Sequence, residues 1–472
     1  MIKKILIANR GEIAVRIVRA CSELSIKSVA IYTDADRHAL HVKKADEAYN
    51  IGSDPVQGYL NAHNIVNLAV ASGCDALHPG YGFLSENPIL EEICARRGIS
   101  FIGPSAKVIR QMGDKIQARL AMIKAGIPVI PGSDRNMENV EEARQLAAKI
   151  GYPVMLKATN GGGGRGIRRC NSEEELLKNY DRVVSEASKA FGKPEVFLEK
   201  CVVNPRHIEV QILADSLGNT IHLFERDCSI QRRNQKLIEI APSPQLTESQ
   251  RKYIGTLAVQ AAKAVNYVNA GTIEFLLDSD NQFYFMEMNT RLQVEHTVTE
   301  TITGVDIVQE QIRIASGLPL QNRQEDVHYR GFAMEFRINA EDPKNDFLPS
   351  FGRITRYYAP GGPGVRTDAA MYTGYVIPPY YDSMCAKLTV WNLTWESVIE
   401  RGRRALNDMT VFGVKTTIPY YLEILKNPDF RKGKFDTSFV ESHPELANYA
   451  VRPPPELVAV AISAAIAAHE GL

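Results

Sequence analysis

GTIEFLLDSDNQFYFMEMNTR, residues 271–291, contains two runs of alternating apolar and polar residues on either side of the polar tetrad DSDN. Two strand-length runs joined by a short turn rich in Asp and Asn predict a β-hairpin. If the turn is centred between residues 280 and 281, Glu274 lies directly opposite Glu287. Because side chains alternate between the two faces of a strand, Asn289 and Arg291 share the face of Glu287.

The two facing glutamates indicate a cation. Like charges opposite each other on a sheet cost up to about 1 kcal/mol when exposed, and more where water is excluded. Mg²⁺ is a hard ion that binds one or two carboxylates together with nucleotide phosphates and water. A solvated edge hairpin is the alternative, but Asn289 and Arg291 lie in a strand otherwise built of Phe, Tyr and Met. We therefore expect a metal site formed by Glu274, Glu287 and Asn289.

Other polar segments surround this hairpin in the sequence. In QVEH, residues 293–296, Glu295 follows the metal-bearing strand and is placed to abstract a proton near a metal-bound phosphate, whereas His296 is interpreted as structural. RHIEVQ, residues 206–211, places three polar side chains on one face of a strand: His207, Glu209 and Gln211. QRRNQK, residues 231–236, is a dense polar and cationic run, which is typical of a solvated surface or a nucleic-acid patch.

A glycine-rich loop, GGGGRG at residues 161–166, follows the strand-like PVMLK at 153–157 and precedes IRR at 167–169. Glycine lets backbone N–H groups approach phosphate oxygens closely, and Lys157 and Arg165 supply positive charge. The spacing does not fit the P-loop pattern G-x-x-x-x-G-K-[ST]. A flexible hairpin tip is the alternative to a phosphate-binding loop.

The N-terminal hundred residues alternate strands and helices. Strand-like KILIA (4–8) and SVAIY (28–32) alternate with helical patterns at 12–24 and 62–72, which predicts a parallel, doubly wound sheet. The first β-α turn, ANRGE, lacks the G-x-G-x-x-G spacing, so a dinucleotide oxidoreductase is disfavoured. Helices are predicted at 117–125 and 139–150, and strands at 333–339, 353–358 and 386–391.

Composition excludes several classes of protein. The chain has 472 residues, enough for about three domains. Lys plus Arg and Asp plus Glu both number 55, so no net charge attracts nucleic acid or an anionic membrane. Seven cysteines without a C-x-x-C pair argue against a disulfide framework or a structural zinc site. The sequence shows no signal peptide and no apolar run of the ~20 residues that span a membrane. We expect a cytoplasmic protein that binds neither nucleic acid nor membrane.

The motifs taken together resemble biotin carboxylase. They are KILIANRGEIA (4–14), HPGYGFLSEN (78–87), the glycine-rich loop, EMNTR (287–291) with QVEH, and FRINAEDP (336–343). The resemblance implies a multidomain fold of α/β and α+β type. It comprises a Rossmann-like N-terminal domain (1–113), an ATP-grasp domain (114–328) with a mobile lid at about 131–203, a C-terminal domain (329–446) and an apolar helical extension (447–472).

The same resemblance implies a nucleotide site with Mg²⁺ or Mn²⁺ on Glu274, Glu287 and Asn289. The implied ATP-binding residues are Lys115, Lys157, Gly163, Gly164, Glu199, Lys200, Cys201, Val202, His207, Gln231, Asn234, Glu274 and Glu287. One departure is Asn234, because many relatives carry a histidine there that contacts the nucleotide. An amide donates and accepts hydrogen bonds but is never charged.

The implied reaction has two steps. Glu295 deprotonates bicarbonate, which is held by Lys236, Arg291, Gln293 and Val294, and the bicarbonate attacks the γ-phosphoryl group of ATP to give carboxyphosphate. Carboxyphosphate breaks down to carbon dioxide, and the released phosphate takes a proton from biotin N1. Arg337 stabilises the resulting enolate. The implied catalytic residues are therefore Arg291, Glu295, Lys236 and Arg337, and lid closure keeps water from the intermediate.

Biotin is expected on another polypeptide. No lysine lies in the Ala-Met-Lys-Met setting of a biotin carrier, so the resemblance implies two partners, a biotin carrier protein and a carboxyltransferase subunit, together with a homodimer. Pyruvate is the first choice of carboxyl acceptor, with acetyl-CoA and 2-oxoglutarate as alternatives. Two interpretations stay open: another ATP-grasp ligase that forms an acyl phosphate, and a catalytically inactive nucleotide-binding scaffold.

The C-terminal extension is unusual. LVAVAISAAIAA, residues 457–468, is apolar nearly all round, and a helix of that kind is normally buried. The extension resembles the tail of the biotin carboxylase chain of two-subunit pyruvate carboxylases. It either docks on the partner polypeptide or folds back on the enzyme's own surface.

Overall fold

The N-terminal unit is a parallel sheet covered by helices. The computed structural model describes residues 2–159, 166–192, 195–450 and 455–470. All neighbouring strands of this five-stranded sheet run parallel, in the order β3-β2-β1-β4-β5, which confirms the doubly wound prediction. Its elements are β1 (Lys4–Ile7), α1 (Gly11–Glu23), β2 (Lys27–Tyr32), α2 (Leu40–Lys44), β3 (Glu47–Asn50), α3 (Gln57–Leu60), α4 (Ala62–Ala71), β4 (Ala76–His78), α5 (Pro88–Arg96), β5 (Ser100–Phe101) and α6 (Ala106–Gly113).

A small unit with its own core follows. A three-stranded antiparallel sheet in the order β7-β6-β8 packs against two helices. Its core includes Leu156, Leu176, Val183 and Leu198. Both helices begin at side-chain caps, since Asn139 accepts from the N–H of Glu142 and Ser172 accepts from the N–H of Glu175. The elements of this unit are α8 (Val140–Ile150), β6 (Val154–Ala158), β7 (Ile167–Cys170), α9 (Glu173–Phe191) and β8 (Val196–Lys200), whereas the preceding helix α7 (Lys115–Lys124) packs in the core of the central sheet.

An eight-stranded antiparallel sheet is the centre of the molecule, in the order β13-β12-β9-β10-β11-β14-β21-β19. It joins strands of the predicted ATP-grasp domain to strands of the predicted C-terminal domain, because β11 pairs with β14. The first group of elements is β9 (Arg206–Ala214), β10 (Thr220–Arg232), β11 (Gln235–Ala241), α10 (Glu248–Ala264), β12 (Asn269–Leu277), β13 (Phe283–Asn289), α11 (His296–Thr303) and α12 (Ile307–Ala315).

The C-terminal unit adds further strands and helices. They are β14 (Phe332–Asn339), β15 (Glu341–Asp342), β16 (Leu348–Pro349), β17 (Gly352–Arg353), β18 (Arg356–Tyr358), β19 (Val365–Ala369), β20 (Val376–Ile377), β21 (Met384–Asn392), α13 (Trp395–Asp408), β22 (Thr410–Phe412), α14 (Ile418–Ile424), α15 (Pro428–Arg431) and α16 (Phe439–Ser442). The single strand predicted at 353–358 is wrong, since the chain changes pairing partner there. The N–H of Ile354 donates to Tyr375, and that of Thr355 donates to Phe412.

The hairpin that carries the two glutamates has the predicted pairing. Glu274 on β12 is the partner of Glu287 on β13. The assumed turn centre is wrong by half a residue, because Phe275 pairs with Phe285, and a bulge between Glu274 and Phe275 restores the opposition of the two glutamates. Without that bulge the register at this point would differ by one residue, and Glu274 and Glu287 would lie on opposite faces of the sheet.

The C-terminal extension forms α17 (Pro455–Glu470). The large apolar side chains described on it are exposed, with Val458, Val460, Ile462 and Ile466 at 39%, 64%, 55% and 53% of full exposure. The alternative that this helix folds back on the enzyme's own surface is therefore wrong. Among the described residues, no helix has the length and apolar character needed to cross a membrane.

Candidate active site

Charged side chains form a row across one face of the eight-stranded sheet. Glu287, Glu274 and Glu209 are successive cross-strand partners on β13, β12 and β9, and Arg226 on β10 is the partner of Glu209. Glu239 and Glu335 are partners on β11 and β14. These groups are largely buried, which is costly for charges unless they pair with one another or with a ligand.

Lys236 is the cation at the centre of this row. Its Nζ donates to Glu209 Oε2 at 2.5 Å, to Glu295 Oε1 at 2.7 Å and to Glu274 Oε1 at 3.0 Å. Burial opposes the charge of the ammonium, but these carboxylates raise its pKa well above the usual range. Lys236 is therefore not part of a solvated surface, although Arg233, Asn234 and Gln235 of the same polar run are exposed. Lys236 is the second residue of β11, after a turn at Arg233 and Asn234 with positive φ.

Glu295, the predicted base, lies between two cations. Lys236 donates to one oxygen, and Arg337 Nη2 donates to the other at 3.1 Å. Burial and Glu209 favour the protonated form, but Lys236, Arg337 and Arg226 outweigh them and hold the pKa of Glu295 below its ordinary value. Glu295 is therefore ionised at neutral pH, as a group that accepts a proton must be.

A pH prediction follows from the ion pair between Lys236 and Glu295. Because the ionised form of Glu295 is the active one, the acid limb of activity should lie below the ordinary glutamate pKa. Lys236→Gln removes the main attraction, so the pKa of Glu295 should rise and the acid limb should move to higher pH by about one unit or more. The measurement is the pH profile of ADP release with the concentration of bicarbonate itself held constant at each pH, because bicarbonate is converted to carbon dioxide on the acid side and would otherwise impose the same acid limb on both proteins. An acid limb at the same pH in both proteins would contradict the assignment of the base.

The facing glutamates fit a divalent cation. Glu274 is also approached by His207, with Nε2 2.9 Å from Oε2, and it accepts from Asn289 Nδ2 at 2.9 Å. Glu287 is less well compensated, because burial and the nearby Glu274 raise its pKa. His207, Glu209 and Glu274 also place ligand atoms close enough together to hold an ion. Hard oxygen donors of this kind suit Mg²⁺ or Mn²⁺.

Replacement of Glu287 tests the metal site without an activity assay. In EDTA, Glu287→Gln should raise the melting temperature by about 1 °C, since removing the repulsion from Glu274 is worth about 1 kcal/mol and the unfolding entropy of 472 residues is about 1 kcal/mol/K. Mg²⁺ together with ADP should then stabilise the variant less than the wild type. The measurement is thermal unfolding with and without Mg²⁺, with the exposed Glu325→Gln as control. Equal stabilisation by Mg²⁺ and ADP in both proteins would exclude Glu287 as a ligand.

Arg291 and the loop at 292–295, just before α11, form the part of the site expected to bind bicarbonate. Arg291 is held by Glu86 of the N-terminal unit, with Nε to Oε2 at 2.9 Å, and by Asn289 Oδ1 at 2.8 Å. Gln293 Nε2 donates to Glu274 Oε1 at 2.7 Å. The carbonyl of Val294 accepts from Lys387 Nζ at 2.8 Å. The structure thus brings together Lys236, Arg291, Gln293, Val294, Glu295 and Arg337.

The remaining predicted nucleotide-binding residues lie beside this centre and in the small unit. Burial and Lys157 lower the pKa of the Lys115 ammonium at the start of α7. Lys157 pairs with Glu199 across β6 and β8. Lys200 differs from the expectation for a phosphate-binding ammonium, because its Nζ donates to the carbonyls of Gly151 and Tyr152, both at 2.9 Å. Cys201 and Val202 directly follow β8, Gln231 is buried near the end of β10, and Asn234 is exposed in the turn. Gly163 and Gly164 lie outside the described residues.

Arg226 is the main residue of the site that the sequence reasoning missed. Its guanidinium is fully buried and donates to five side chains: Glu209, Gln211, Thr299, Thr272 and Gln293. Glu239, Glu335 and Lys387 were missed as well; Glu239 accepts from Arg337 Nε at 2.6 Å, and burial raises its pKa to about 7. His296 is structural as expected, since it is fully buried and its Nδ1 lies 2.8 Å from the carbonyl of Gln293.

A signal for three of these residues existed in the sequence. The strands β11, β14 and β21 each carry a charged residue between apolar neighbours: Glu239, Glu335 and Lys387. Arg226 lacks this signal, because it lies between Glu225 and Asp227 on β10. Charges in buried strands are rare unless they pair or bind a ligand, so they mark a site.

Three families match consecutive parts of the chain. Residues 1–109 match the N-terminal domain of biotin carboxylase, 114–323 match the ATP-binding domain of the carbamoyl-phosphate synthase L chain, and 335–442 match the C-terminal domain of biotin carboxylase. An ATP-binding domain of this kind, with the charged row described above, defines an ATP-grasp ligase. The chain belongs to the biotin carboxylase family, and it has that family's three-domain architecture.

Individual relatives are similar over nearly the whole chain. The 2-oxoglutarate carboxylase small subunit of Hydrogenobacter thermophilus is 56% identical over 472 residues, which is 100% of both chains. Biotin carboxylase 1 of Bacillus subtilis is 55% identical over 445 residues, 94% of this chain and 99% of that protein. A pyruvate carboxylase subunit of Methanothermobacter thermautotrophicus is 53% identical over 444 residues, 94% of this chain and 90% of that protein.

A solved structure of the Hydrogenobacter biotin carboxylase domain has the same fold. It is a dimer with MgADP, ADP and bicarbonate, and it matches with a TM-score of 0.93 at 57% identity, covering 96% of this chain and 100% of that chain. That relative therefore binds the nucleotide, metal and anion for which the site here is suited.

Proposed function

We propose that this chain carboxylates biotin on a separate carrier polypeptide, using ATP and bicarbonate, as the biotin carboxylase subunit of a multi-subunit carboxylase. The observation that carries the proposal is the convergence of Lys236 on Glu209, Glu274 and Glu295, with Arg337 on the other oxygen of Glu295. A base between two cations, beside paired carboxylates that suit a divalent ion, is what an anionic substrate next to a nucleotide requires. A nucleotide-binding scaffold needs none of these groups.

Each residue has one task in the proposed reaction. Bicarbonate binds to Lys236, Arg291 and the amide of Gln293, and Glu295 takes its proton. The bicarbonate oxygen then attacks the γ-phosphoryl group of ATP, which gives carboxyphosphate and ADP. Glu274, Glu287 and Asn289 hold Mg²⁺ or Mn²⁺, which neutralises phosphate charge when bound.

Arg337 acts in the second half of the reaction. Carboxyphosphate breaks down to carbon dioxide and phosphate, and the phosphate takes the proton from biotin N1. N1 then attacks carbon dioxide to give carboxybiotin, while the guanidinium of Arg337 stabilises the charge that develops on the ureido oxygen. Its contacts with Glu239 and Glu295 fix the direction of the guanidinium before biotin arrives. The small unit at 131–203 is the proposed lid that excludes water from the intermediate.

The acceptor that we propose first is pyruvate, and the Methanothermobacter relative supports it. 2-Oxoglutarate is the second candidate, since the match to a 2-oxoglutarate carboxylase small subunit extends over the whole of both chains. We further propose a homodimer, which the dimeric relative supports, and a cytoplasmic location, which seven free cysteines support.

The test is ADP release by the purified chain with ATP, Mg²⁺ and bicarbonate, with and without free biotin. Biotin should stimulate a bicarbonate-dependent rate, whereas an acyl-phosphate-forming ligase of another pathway should ignore biotin. No stimulation over the full pH range would overturn the proposal. Isolation of the native complex and assay with pyruvate, 2-oxoglutarate and acetyl-CoA then identifies the acceptor.

A further inference from the structure

The apolar helix α17 exposes side chains that water does not favour. Val458, Ile462 and Ile466 recur every four residues, so they form one bulky stripe along the helix. Six of the other thirteen residues are alanine, which allows close approach from the other sides, and the exposed Val460 lies off the stripe. A stripe of anchors at i, i+4 and i+8 is how a helix binds in an apolar groove of a partner.

The helix lies outside the part of the chain that performs the chemistry. The last of the three family matches ends at residue 442. Biotin carboxylase 1 of Bacillus subtilis matches over 445 residues while 99% of that protein is covered, so about 27 residues of this chain have no counterpart there. Because the family matches begin at residue 1 and end at residue 442, we place these residues at the C-terminal end. The extension is therefore dispensable for a biotin carboxylase.

The relative that matches the extension is part of a larger enzyme. The match to the 2-oxoglutarate carboxylase small subunit covers all 472 residues, including α17. A small subunit has a larger partner, and biotin must reach Arg337 from such a partner, because no lysine of this sequence has the setting that carries biotin. The presence of the helix in this relative thus favours the biotin-bearing polypeptide as its occupant over a second copy of this chain.

We propose that α17 binds an apolar groove on the polypeptide that carries biotin and the carboxyltransferase, with Val458, Ile462 and Ile466 as the anchors. The inference rests on the proposed function. Its benefit is physical: tethering the carrier raises the effective concentration of biotin at the active site to about the millimolar range. The three-domain body is then free to keep its own dimer contacts and its moving lid.

The test uses the full-length chain expressed with the biotinylated polypeptide that co-purifies with it. Ile462→Asp combined with Ile466→Asp should weaken binding of that polypeptide at least about 100-fold, because two buried isoleucines become charged. Ser463→Asp combined with Ala467→Asp is the matched control, since it introduces the same two charges at the same spacing but off the stripe, and it should weaken binding about threefold or less. Affinity is measured by surface plasmon resonance, and biotin by streptavidin blot.

Two measurements distinguish loss of partner binding by α17 from loss of biotin carboxylase activity. ADP release stimulated by free biotin should be unchanged in all variants, because α17 lies outside the three domains. Carboxylation of pyruvate or 2-oxoglutarate by the mixed polypeptides should fall in the double variant and be restored by excess partner.

Each contrary outcome has a distinct meaning. Unchanged affinity in the double variant, or in a chain that ends at Pro455, overturns the docking role while biotin-stimulated ADP release still supports the proposed function. Loss of the dimer with partner binding intact assigns α17 to self-association and overturns the inference. Absence of both a biotinylated partner and biotin stimulation overturns the proposed function together with it.

Discussion

Glu295→Gln is expected to abolish bicarbonate-dependent ATP cleavage while leaving nucleotide binding intact. Glutamine keeps the size of the side chain, and its single carbonyl oxygen can accept from Lys236 or from Arg337 but not from both; it cannot take a proton. Loss of a positioned base costs about 10²- to 10⁴-fold in rate. The measurements are the rate of ADP release at saturating bicarbonate and the dissociation constant of MgADP by calorimetry, which should change by less than about threefold.

The control for this variant is Glu325→Gln, which makes the same chemical change at an exposed position. Its rate should equal that of the wild type. Undiminished turnover in Glu295→Gln would mean that another group is the base. A parallel loss of MgADP affinity would instead mean that Glu295 supports the site structurally.

Arg337→Ala should impair carboxylation of biotin more than it impairs ATP cleavage without biotin. Among the described residues, its guanidinium is the only cation that both contacts Glu295 and pairs with Glu239, so its position depends on two carboxylates. We expect a fall of about 10²- to 10³-fold with biotin, the size found for a lost stabiliser of developing negative charge. Without biotin the fall should be about tenfold or less.

Stability must be checked in this variant, because Glu239 loses its partner and is fully buried. Arg337→Lys keeps the charge and is the second variant: it should fold normally and still lose most of the biotin-dependent rate, since lysine lacks the planar pair of donors. Thermal unfolding and both ADP-release assays are measured on each protein. Equal losses with and without biotin would contradict the proposed role of Arg337.

The sequence was most informative where local pairing determines geometry. Alternation along 271–291 placed Glu274 opposite Glu287, and the structure confirms that pairing although it required a bulge that the sequence did not reveal. The parallel N-terminal sheet was predicted for the same reason, since βαβ order restricts its topology.

Contacts between residues that are far apart in the chain could not be predicted from the sequence. Nothing local indicates that Lys236 meets Glu295, 59 positions away, or that β11 and β14 join two predicted domains in one sheet. Arg226 was missed because its five partners come from three segments that are far apart in sequence, 209–211, residue 272 and 293–299. The strand predicted at 353–358 failed because a change of pairing partner depends on strands elsewhere.

The single guanidinium of Arg226 has a consequence for protein engineering. Its five acceptors lie on β9, β12, α11 and the loop before α11, and each of them relies on the same donor. In a combinatorial library at these positions, we expect functional clones to retain the whole group or to replace several members at once. Because the effects of substitutions at these positions are not additive, a redesign of the anion pocket should vary these side chains together rather than one at a time.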